Sequence, residues 1–262
     1  MIKRILNDGI SIIDDEIIID FDHAAETDIL NILQPEIYES EFLGNIYYFG
    51  YKFKDNASRH DRTIILKWLK NLDNNGIDNK SLRRLIDKPI LVLDKHENLS
   101  TFNILISPKS GRSNLTKTIV NELGKLTQHN LERKSYELIK NLPNCVTFDW
   151  EMFNNDYDGV LWDNQYKQIY NYVEDTLMPK IHNLTYFSLA DSVKYKYRQY
   201  IKDYLRFENA DAEKAIKAIQ NGKILLVDDI NTSGSTLTEI LRIIKAINNQ
   251  CEIYIFTLIG KD

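Results

Sequence analysis

Two adjacent carboxylates, Asp228 and Asp229, end an apolar run in the stretch ILLVDDINTSGSTLTEI at residues 224–240. Small polar residues follow the pair, and helical spacing begins at about Leu237. The carboxylates have two chemical uses, because they can accept hydrogen bonds from sugar hydroxyls or hold a hydrated Mg²⁺. The loop after them consists of Asn231, Thr232, Ser233, Gly234, Ser235 and Thr236.

This loop has the composition of an anion site. Backbone N–H groups in the first turn of a helix have no acceptor within the helix, so they favour an anion. Gly234 lets the backbone approach a ligand closely, and the hydroxyl groups donate further hydrogen bonds to phosphate oxygens. The loop has no lysine, which excludes a P-loop of the GxxxxGK[ST] kind. The simpler alternative is a strand, a turn and a helix with a serine N-cap and no ligand.

Strands alternating with helices are predicted on both sides of this loop, from the spacing of apolar residues. This order favours an α/β fold, with a central, mainly parallel sheet flanked by helices. Ligands of such sheets bind at the carboxyl ends of the strands, where Asp228 and Asp229 are expected. The predicted strands are 102–106, 185–189, 224–227 and 253–259, and the predicted helices are 114–126, 166–177, 210–220 and 237–248.

The first part of the chain has a different pattern and is predicted to be an N-terminal accessory region. We expect a hairpin at 10–21, a strand at 46–53, a helix at 62–72 and a short strand at 90–93. The chain is therefore divided into an accessory or hood region at 1–88 and a core at 89–262. Within the core, an insertion is expected near 141–185, and its first part, 141–165, is aromatic and irregular.

The stretch LLVDDINTSGSTL at 225–237 resembles the signature by which type I phosphoribosyltransferases bind 5-phosphoribosyl-1-pyrophosphate (PRPP). That signature is an apolar strand, two acidic residues and a Thr/Ser-Gly-x-Thr loop, and every class position is filled. The resemblance implies a phosphoribosyltransferase-like fold. It also implies that Asp228 and Asp229 hold the ribose hydroxyls and a Mg²⁺, directly or through water. Residues Thr232 to Thr236 would then bind the 5′-phosphate.

A second turn, in ILISPKSGRSNLTK at 104–117, lies where the same family has its pyrophosphate loop, after the first core strand. The resemblance implies that Lys109, Ser110, Gly111 and Arg112 bind the diphosphate. Lys109 and Arg112 would be catalytic, because a leaving diphosphate needs charge-assisted donors as negative charge develops on it. The alternative is an ordinary turn, since Ser-Pro-x-Ser-Gly sequences are common.

A basic, tyrosine-rich stretch at 192–210 lies in the part of the chain where this family has a flexible, often basic loop that closes over the reacting centre. Its candidate cations are Lys196, Arg198 and Arg206. The pattern QxxxxxxRxxNA within the stretch also resembles ComF-like competence proteins, which are phosphoribosyltransferase-like. Those proteins commonly begin with a cysteine-rich metal knuckle, which this sequence lacks. The alternative for the stretch is a solvated amphipathic helix with a tyrosine face.

The resemblance implies a PRPP-dependent phosphoribosyltransferase, in which a nitrogen nucleophile displaces pyrophosphate from C1 of PRPP. The partners are then PRPP and a small-molecule acceptor, with a nucleobase as the expected kind. Dimers are common in the family, which leaves a homodimer open. The alternative is a non-catalytic PRPP-binding regulator, but residues 1–88 lack the helix-turn-helix pattern or basic patch of a DNA-binding segment. A PRPP-synthetase-like half is disfavoured by the single loop and its TSGST spacing.

The position of a base pocket is a further expectation from the resemblance. Hypoxanthine-type members build part of that pocket after the last core strand, and this sequence ends at Asp262. We therefore expect the pocket in residues 1–88 or among the aromatic residues of the insertion, whose rings suit stacking on a base. Ordinary core packing is the alternative for these aromatic residues. They are Phe148, Trp150, Phe153, Tyr157 and Trp162.

Composition limits the remaining classes of function. A net charge of −5 argues against a general nucleic-acid binder, which usually carries a basic footprint. No stretch approaches the ~20 apolar residues of a membrane span. Asp8, Asp14 and Asp15 occur before any long apolar run, so a signal peptide is not expected. Cys145 and Cys251 lack the spacing of a metal site or a disulfide framework. A cytoplasmic protein without membrane or nucleic-acid partners is expected.

Overall fold

In the part of the chain that the structure describes, the strands form one large sheet and two small ones. The structure is a computed structural model and describes residues 4–6, 10–13, 16–19, 38–53, 62–63, 66–67, 69–70, 79–110, 113–126, 134–158, 160–231 and 234–260. Its strands are β1 (Arg4–Leu6), β2 (Ile10–Ile13), β3 (Glu16–Ile19), β4 (Tyr38–Phe42), β5 (Asn45–Lys52), β6 (Phe102–Pro108), β7 (Lys134–Lys140), β8 (Thr147–Phe148), β9 (Ile201–Lys202), β10 (Leu205–Phe207), β11 (Lys223–Ile230) and β12 (Glu252–Gly260).

Helices connect most of these strands. One π-helical turn, Val173–Leu177, joins two of the helices, and 3₁₀ turns lie at Leu99–Thr101, Pro143–Cys145 and Tyr195–Tyr200. No helix in the described ranges is both long and apolar enough for a membrane crossing. The α-helices are α1 (Asn79–Glu97), α2 (Leu115–Leu126), α3 (Trp150–Tyr157), α4 (Asp163–Tyr172), α5 (Met178–His182), α6 (Leu189–Ser192), α7 (Asp211–Ala218) and α8 (Ser235–Ile247).

The central sheet has seven strands in the order β10-β7-β6-β11-β12-β5-β4. The inner strands β7, β6, β11, β12 and β5 run parallel, and β10 and β4 pair antiparallel at the two edges. The small sheets are the antiparallel β1-β2-β3 and the β8-β9 pair. The predicted α/β fold with a mainly parallel central sheet is confirmed.

Strand β11 shows how the sheet is buried on both faces. Ile224 and Leu226 face one apolar cluster, which also contains residues of α3 to α8, whereas Leu225 and Val227 face a second cluster with residues of α1 and α2. All four side chains are fully buried. Continuous apolar sequence is what a parallel strand covered on both faces requires.

Most predicted elements are confirmed with small shifts of their ends, but two predicted strands are wrong. The run 90–93 lies inside helix α1, and residues 185–188 are irregular before α6 begins. A short apolar run fits a buried strand and a buried turn of helix equally well, which explains both errors. Strand β7, whose sequence KSYELIK has no regular alternation of polar and apolar residues, was not predicted.

The N-terminal part of the chain contributes to the central sheet through β4 and β5. The predicted boundary between residues 88 and 89 lies within α1, so the division into two regions stays a prediction. Of the predicted helix at 62–72, positions 62–63, 66–67 and 69 are helical, and the other positions, apart from Lys70, lie outside the described residues. Within the insertion near 141–185, the part expected to be irregular, 141–165, contains β8, α3 and the start of α4. The helix predicted at 166–177 corresponds to the rest of α4 and the π-helical turn.

Helix α1 lies close to β5, which allows a first prediction. A Cβ at Gly50 would lie 2.7 Å from the Pro89 ring and 3.2 Å from the carbonyl oxygen of Leu258. We expect Gly50→Ala to lower the free energy of unfolding by about 1–3 kcal/mol, because the helix must shift away from the sheet. Chemical denaturation measures this loss.

The control is Gly124→Ala in α2, where an added Cβ meets nothing within 4 Å. Alanine is the better helix former, so this variant should be neutral or gain up to about 1 kcal/mol. Wild-type stability of Gly50→Ala would contradict the close seating of α1 on the sheet.

Candidate functional site

The acid pair lies at the carboxyl edge of the sheet, defined here as the edge where β5, β6, β7, β11 and β12 end. Asp228 and Asp229 are the first charged residues after the apolar part of β11, and they are only 8% and 5% exposed. β6 and β12 flank β11 on either side. The fold thus places two carboxylates in a poorly solvated position in the middle of this edge.

The protonation of Asp228 reflects this environment. Burial raises the pKa of the Asp228 carboxyl to about 7, and the neighbouring charge of Asp229 adds to the rise. The backbone N–H of Asp229 donates to Oδ1 of Asp228 at 2.8 Å, and this hydrogen bond lowers the pKa of Asp228 and so partly offsets the rise. A carboxyl with a pKa near neutrality gains or loses its proton easily when a charged ligand arrives.

Two lysines compensate the acid pair, and sequence reasoning missed both. Lys70 Nζ lies 3.1 Å from Oδ1 of Asp229. Lys140, the last residue of β7, has its Nζ 5.2 Å from the centre of the Tyr204 ring. Burial lowers the pKa of Lys140, and the charge of Asp228 opposes this change. Both lysines are distant in sequence from the loop, so no local pattern indicated them.

Helix α8 begins directly after the loop, and its N-cap is Gly234 at φ 72°. A Cβ there would lie 2.8 Å from the Phe42 ring, so glycine is required by both the backbone angle and the packing. No described side chain caps the helix. The alternative of a serine N-cap is therefore wrong. Thr232 and Ser233, two of the predicted phosphate ligands, lie outside the described residues.

Tyr204 fixes the first turn of α8. Its buried hydroxyl donates to the carbonyl oxygen of Ser235 at 2.8 Å, and it also hydrogen bonds with the side chain of Thr236. Burial raises the pKa of Tyr204, so the phenol keeps its proton and remains a donor. A small cavity in front of this turn is lined by Asp228, Ile230, Asn231, Gly234, Ser235, Thr236 and Leu237.

An ionic cluster further along α8 holds the helix against the turn between β9 and β10. Arg242 donates to both carboxylate oxygens of Glu239, at 2.8 and 3.0 Å, and to Asp203 at 2.7 Å. Glu239 is only 2% exposed, and burial raises its pKa although the bonds from Arg242 lower it. Asp203 directly precedes Tyr204, so the cluster and the tyrosine hydrogen bond anchor the same turn to the same helix.

The predicted pyrophosphate loop follows β6, which lies next to β11 in the sheet. Of its four candidate residues, Gly111 and Arg112 lie outside the described residues. Lys109 Nζ donates to Glu208 Oε1 at 2.7 Å and lies 3.7 Å from Glu137 Oε2, and the hydrogen bond to Glu208 raises the pKa of Lys109. Ser110 Oγ accepts a hydrogen bond from the Ser113 N–H at 3.1 Å. Both loops therefore leave the carboxyl edge from adjacent strands.

The tyrosine-rich stretch at 192–210 forms a 3₁₀ turn, β9 and β10. The alternative of an amphipathic α-helix is wrong, because the tyrosines that it would align instead pack into the core through shorter elements. Arg198 donates to the carbonyl oxygens of Val193 and Ala190, at 2.9 and 2.6 Å. Lys196 lies 4.7 Å from the Tyr197 ring centre, and exposed Arg206 bonds to the Phe207 carbonyl oxygen. Their role in closing the site stays a prediction.

The aromatic residues of the insertion pack mainly against one another. Phe148 and Phe153 are buried, and the Trp150 indole donates to Glu174 at 2.8 Å. Trp162 differs from them, with 79% of its surface exposed. For the buried rings the geometry is that of core packing, and a base pocket among them stays a prediction.

The donor set at the acid pair suits one kind of metal ion. The described residues contain no group of three or more His, Cys, Asp or Glu side chains that could hold a metal. Two carboxylates at a strand end match Mg²⁺, which takes one or two protein carboxylates and fills its other positions with water and substrate phosphates. The residues present therefore fit a magnesium ion that arrives with a phosphorylated ligand.

Comparisons with known proteins find a likeness among solved structures but none in sequence. No protein-family model matches the chain, and no curated protein matches it either. Among solved structures it is similar to a hypoxanthine phosphoribosyltransferase from Staphylococcus aureus, at 11% identity and a TM-score of 0.35. The match covers 70% of this chain and 64% of that enzyme, so the chain spans less than two thirds of its length. The function has to be argued from the chemistry of the site.

The raised pKa of Asp228 predicts how stability depends on pH in a metal-free buffer. The folded protein keeps the proton up to about pH 7, whereas an unfolded chain releases it near 3.8. The folded state thus binds more protons in between, and stability falls as pH rises from about 4 to about 7. Asp228→Asn should remove this pH dependence. From about pH 4 to about pH 7, its free energy of unfolding should rise relative to that of the wild type by about 1 kcal/mol or more.

Urea denaturation between pH 4 and 8 in the presence of a chelator tests this prediction. The exposed Asp158→Asn is the matched control for the loss of one carboxylate. Parallel pH profiles for Asp228→Asn and the wild type would contradict a raised pKa at Asp228.

The ionic cluster on α8 gives a further prediction. Arg242→Met leaves the Glu239 carboxylate buried without its partner, and we expect it to cost about 2 kcal/mol or more in stability. The cost is below that of a fully buried pair because Arg242 is 38% exposed. Thermal unfolding measures it, with the exposed Lys245→Met on the same helix as control. Equal losses in the two variants would show that Arg242 acts only as a surface residue.

Proposed function

We propose that the protein is a PRPP-dependent phosphoribosyltransferase that transfers the phosphoribosyl group to a nitrogen nucleophile, with a nucleobase as the acceptor. One observation carries the proposal. A buried acid pair near the end of the central strand is followed, a few residues later, by helix α8, whose N-cap is Gly234. Carboxylates for the ribose hydroxyls and backbone N–H groups for the 5′-phosphate then lie a few residues apart, as one sugar phosphate requires.

In this reaction the protein contributes mainly by positioning the substrates and stabilising charge, and less by covalent chemistry. The lone pair of the acceptor nitrogen forms the bond to C1, and the C1–O bond breaks with its electron pair leaving on pyrophosphate. Positive charge develops on the ribose ring in the transition state, as at other glycosidic centres. Asp228 and Asp229 would stabilise that charge, and the loop would fix the orientation of the ribose by binding its 5′-phosphate.

Magnesium belongs to this proposal as a partner of the substrate. Asp228 and Asp229 would hold it, and when bound it supplies charge neutralisation for the diphosphate. Lys109 would contribute to the leaving group after exchanging its contacts with Glu208 and Glu137 for the diphosphate. Arg112 and the cations at 196, 198 and 206 stay in the proposed site as further donors.

A second function is favoured by one observation. Lys109, the one candidate cation of the pyrophosphate loop among the described residues, is already paired with two carboxylates. A site that binds PRPP without releasing pyrophosphate would serve a regulator or sensor. Binding is common to both functions, and pyrophosphate release separates them.

Calorimetric titration of PRPP with Mg²⁺ tests the shared site. We expect Asp228→Asn/Asp229→Asn to weaken binding by about tenfold or more, because charge-assisted hydrogen bonds to the sugar are lost. Asp211→Asn/Glu213→Gln removes two exposed carboxylates from α7 and should bind as the wild type does. Wild-type protein that fails to bind millimolar PRPP would overturn the proposal.

A screen of nucleobases for pyrophosphate release then decides between the two functions. Release with one class of base establishes the transferase and names the acceptor. Binding without release for any base would favour the regulator.

A further inference from the structure

The Lys70 side chain reaches the acid pair from outside the strands that build the site. Its Nζ lies 3.1 Å from Oδ1 of Asp229, whose side chain is 7% exposed, while the Lys70 side chain is 33% exposed. A carboxylate with so little water around it needs a compensating charge. Within the described residues, Lys70 is the ion-pair partner of Asp229.

A divalent cation on this carboxylate would compete with Lys70. Its bonds to carboxylate oxygens are about 2.0–2.1 Å long for Mg²⁺, so it would come within a few ångströms of the ammonium group. Like charges at that separation repel strongly where little water screens them. The pair between Lys70 and Asp229 and the bound cation therefore oppose each other.

We propose that Lys70 is the internal counter-ion of Asp229 and that a divalent cation displaces it. This inference rests on the proposed function in one respect, since it places the cation at Asp228 and Asp229. Binding of the cation and release of Lys70 are then linked, and each weakens the other by the same factor. Lys70 thus acts through Asp229 as a positioning residue, which keeps the acid pair neutralised until the site is loaded.

The surroundings of the two lysines indicate why Lys70 is the one that exchanges. Its side chain is long and one third exposed, so the ammonium group can move into water at little cost. Lys140 is held at the end of β7 with its ammonium group over the Tyr204 ring. We therefore expect Lys140 to stay beside Asp228 when a cation binds.

The test is titration of the full-length protein with Mn²⁺ alone, followed by the electron paramagnetic resonance of the free ion. Lys70→Met should bind Mn²⁺ about fivefold or more tighter than the wild type, because the competing charge is gone. Lys70→Arg keeps the charge and should restore wild-type affinity. Lys67→Met removes an exposed lysine of the same segment and should change the affinity by less than twofold.

Thermal unfolding supplies a second readout. In a chelator Lys70→Met should unfold at a lower temperature than the wild type, and Mn²⁺ should raise its unfolding temperature more than it raises that of the wild type. A merely structural role for Lys70 would lower stability without tightening Mn²⁺ binding. If Lys70→Met fails to fold, Lys70→Arg still tests the proposal, because the Mn²⁺ affinity of Lys70→Arg must equal that of the wild type.

Several results would overturn the exchange. They are Mn²⁺ affinity in Lys70→Met that equals or falls below that of the wild type, no Mn²⁺ binding at millimolar concentration in any variant, and weaker PRPP binding with unchanged Mn²⁺ binding. The last result would make Lys70 a contact of the substrate. Tighter Mn²⁺ binding in Lys70→Met, with no variant binding PRPP, would uphold the exchange while the proposed function fails.

Discussion

Strand β11 lies in the middle of the sheet with helices against both of its faces, and water reaches it only at its ends. Such a strand has apolar side chains until it reaches the edge, because an unpaired charge between the layers would be too costly. Asp228 and Asp229 lie where the apolar part of β11 ends, at the carboxyl edge of the sheet. The ammonium groups of Lys70 and Lys140 and the backbone bond within the pair all serve to keep two carboxylates side by side where little solvent is available.

The helix after the loop is fixed in more than one direction. Gly234 lies against Phe42 from the N-terminal part of the chain, whereas Tyr204 holds the carbonyl oxygen of Ser235. Further along, the contacts of Arg242 keep α8 on the turn that carries Tyr204. An anion site made of backbone N–H groups depends on such anchoring, because the donors are useful only if they point at one place.

The fold class and the acid pair were predictable because both correspond to local patterns in the sequence. Periodicity located β6, β11, β12, α2 and α8, and the pair stands at the end of one of these strands. The strand predicted at 90–93 is a turn of α1, since a short apolar run does not distinguish a strand from a buried helix. Lys70 and Lys140 reach the site only through tertiary packing, and nothing in their immediate neighbours marks them. Tyr204 lies in the stretch singled out at 192–210, but its contact with the first turn of α8 could not be predicted from that pattern.

The position of β12 between β5 and β11 has a consequence for the order of events during synthesis on the ribosome. The hairpin of β4 and β5 emerges early, but its partner in the sheet is made only with residues 252–260. Until then β5 exposes one unpaired edge, and β11 is bordered on one side only. Pairing between such distant segments makes folding slow. The newly made chain therefore has a long interval in which these edges are open to wrong partners, and chaperones have most to protect there.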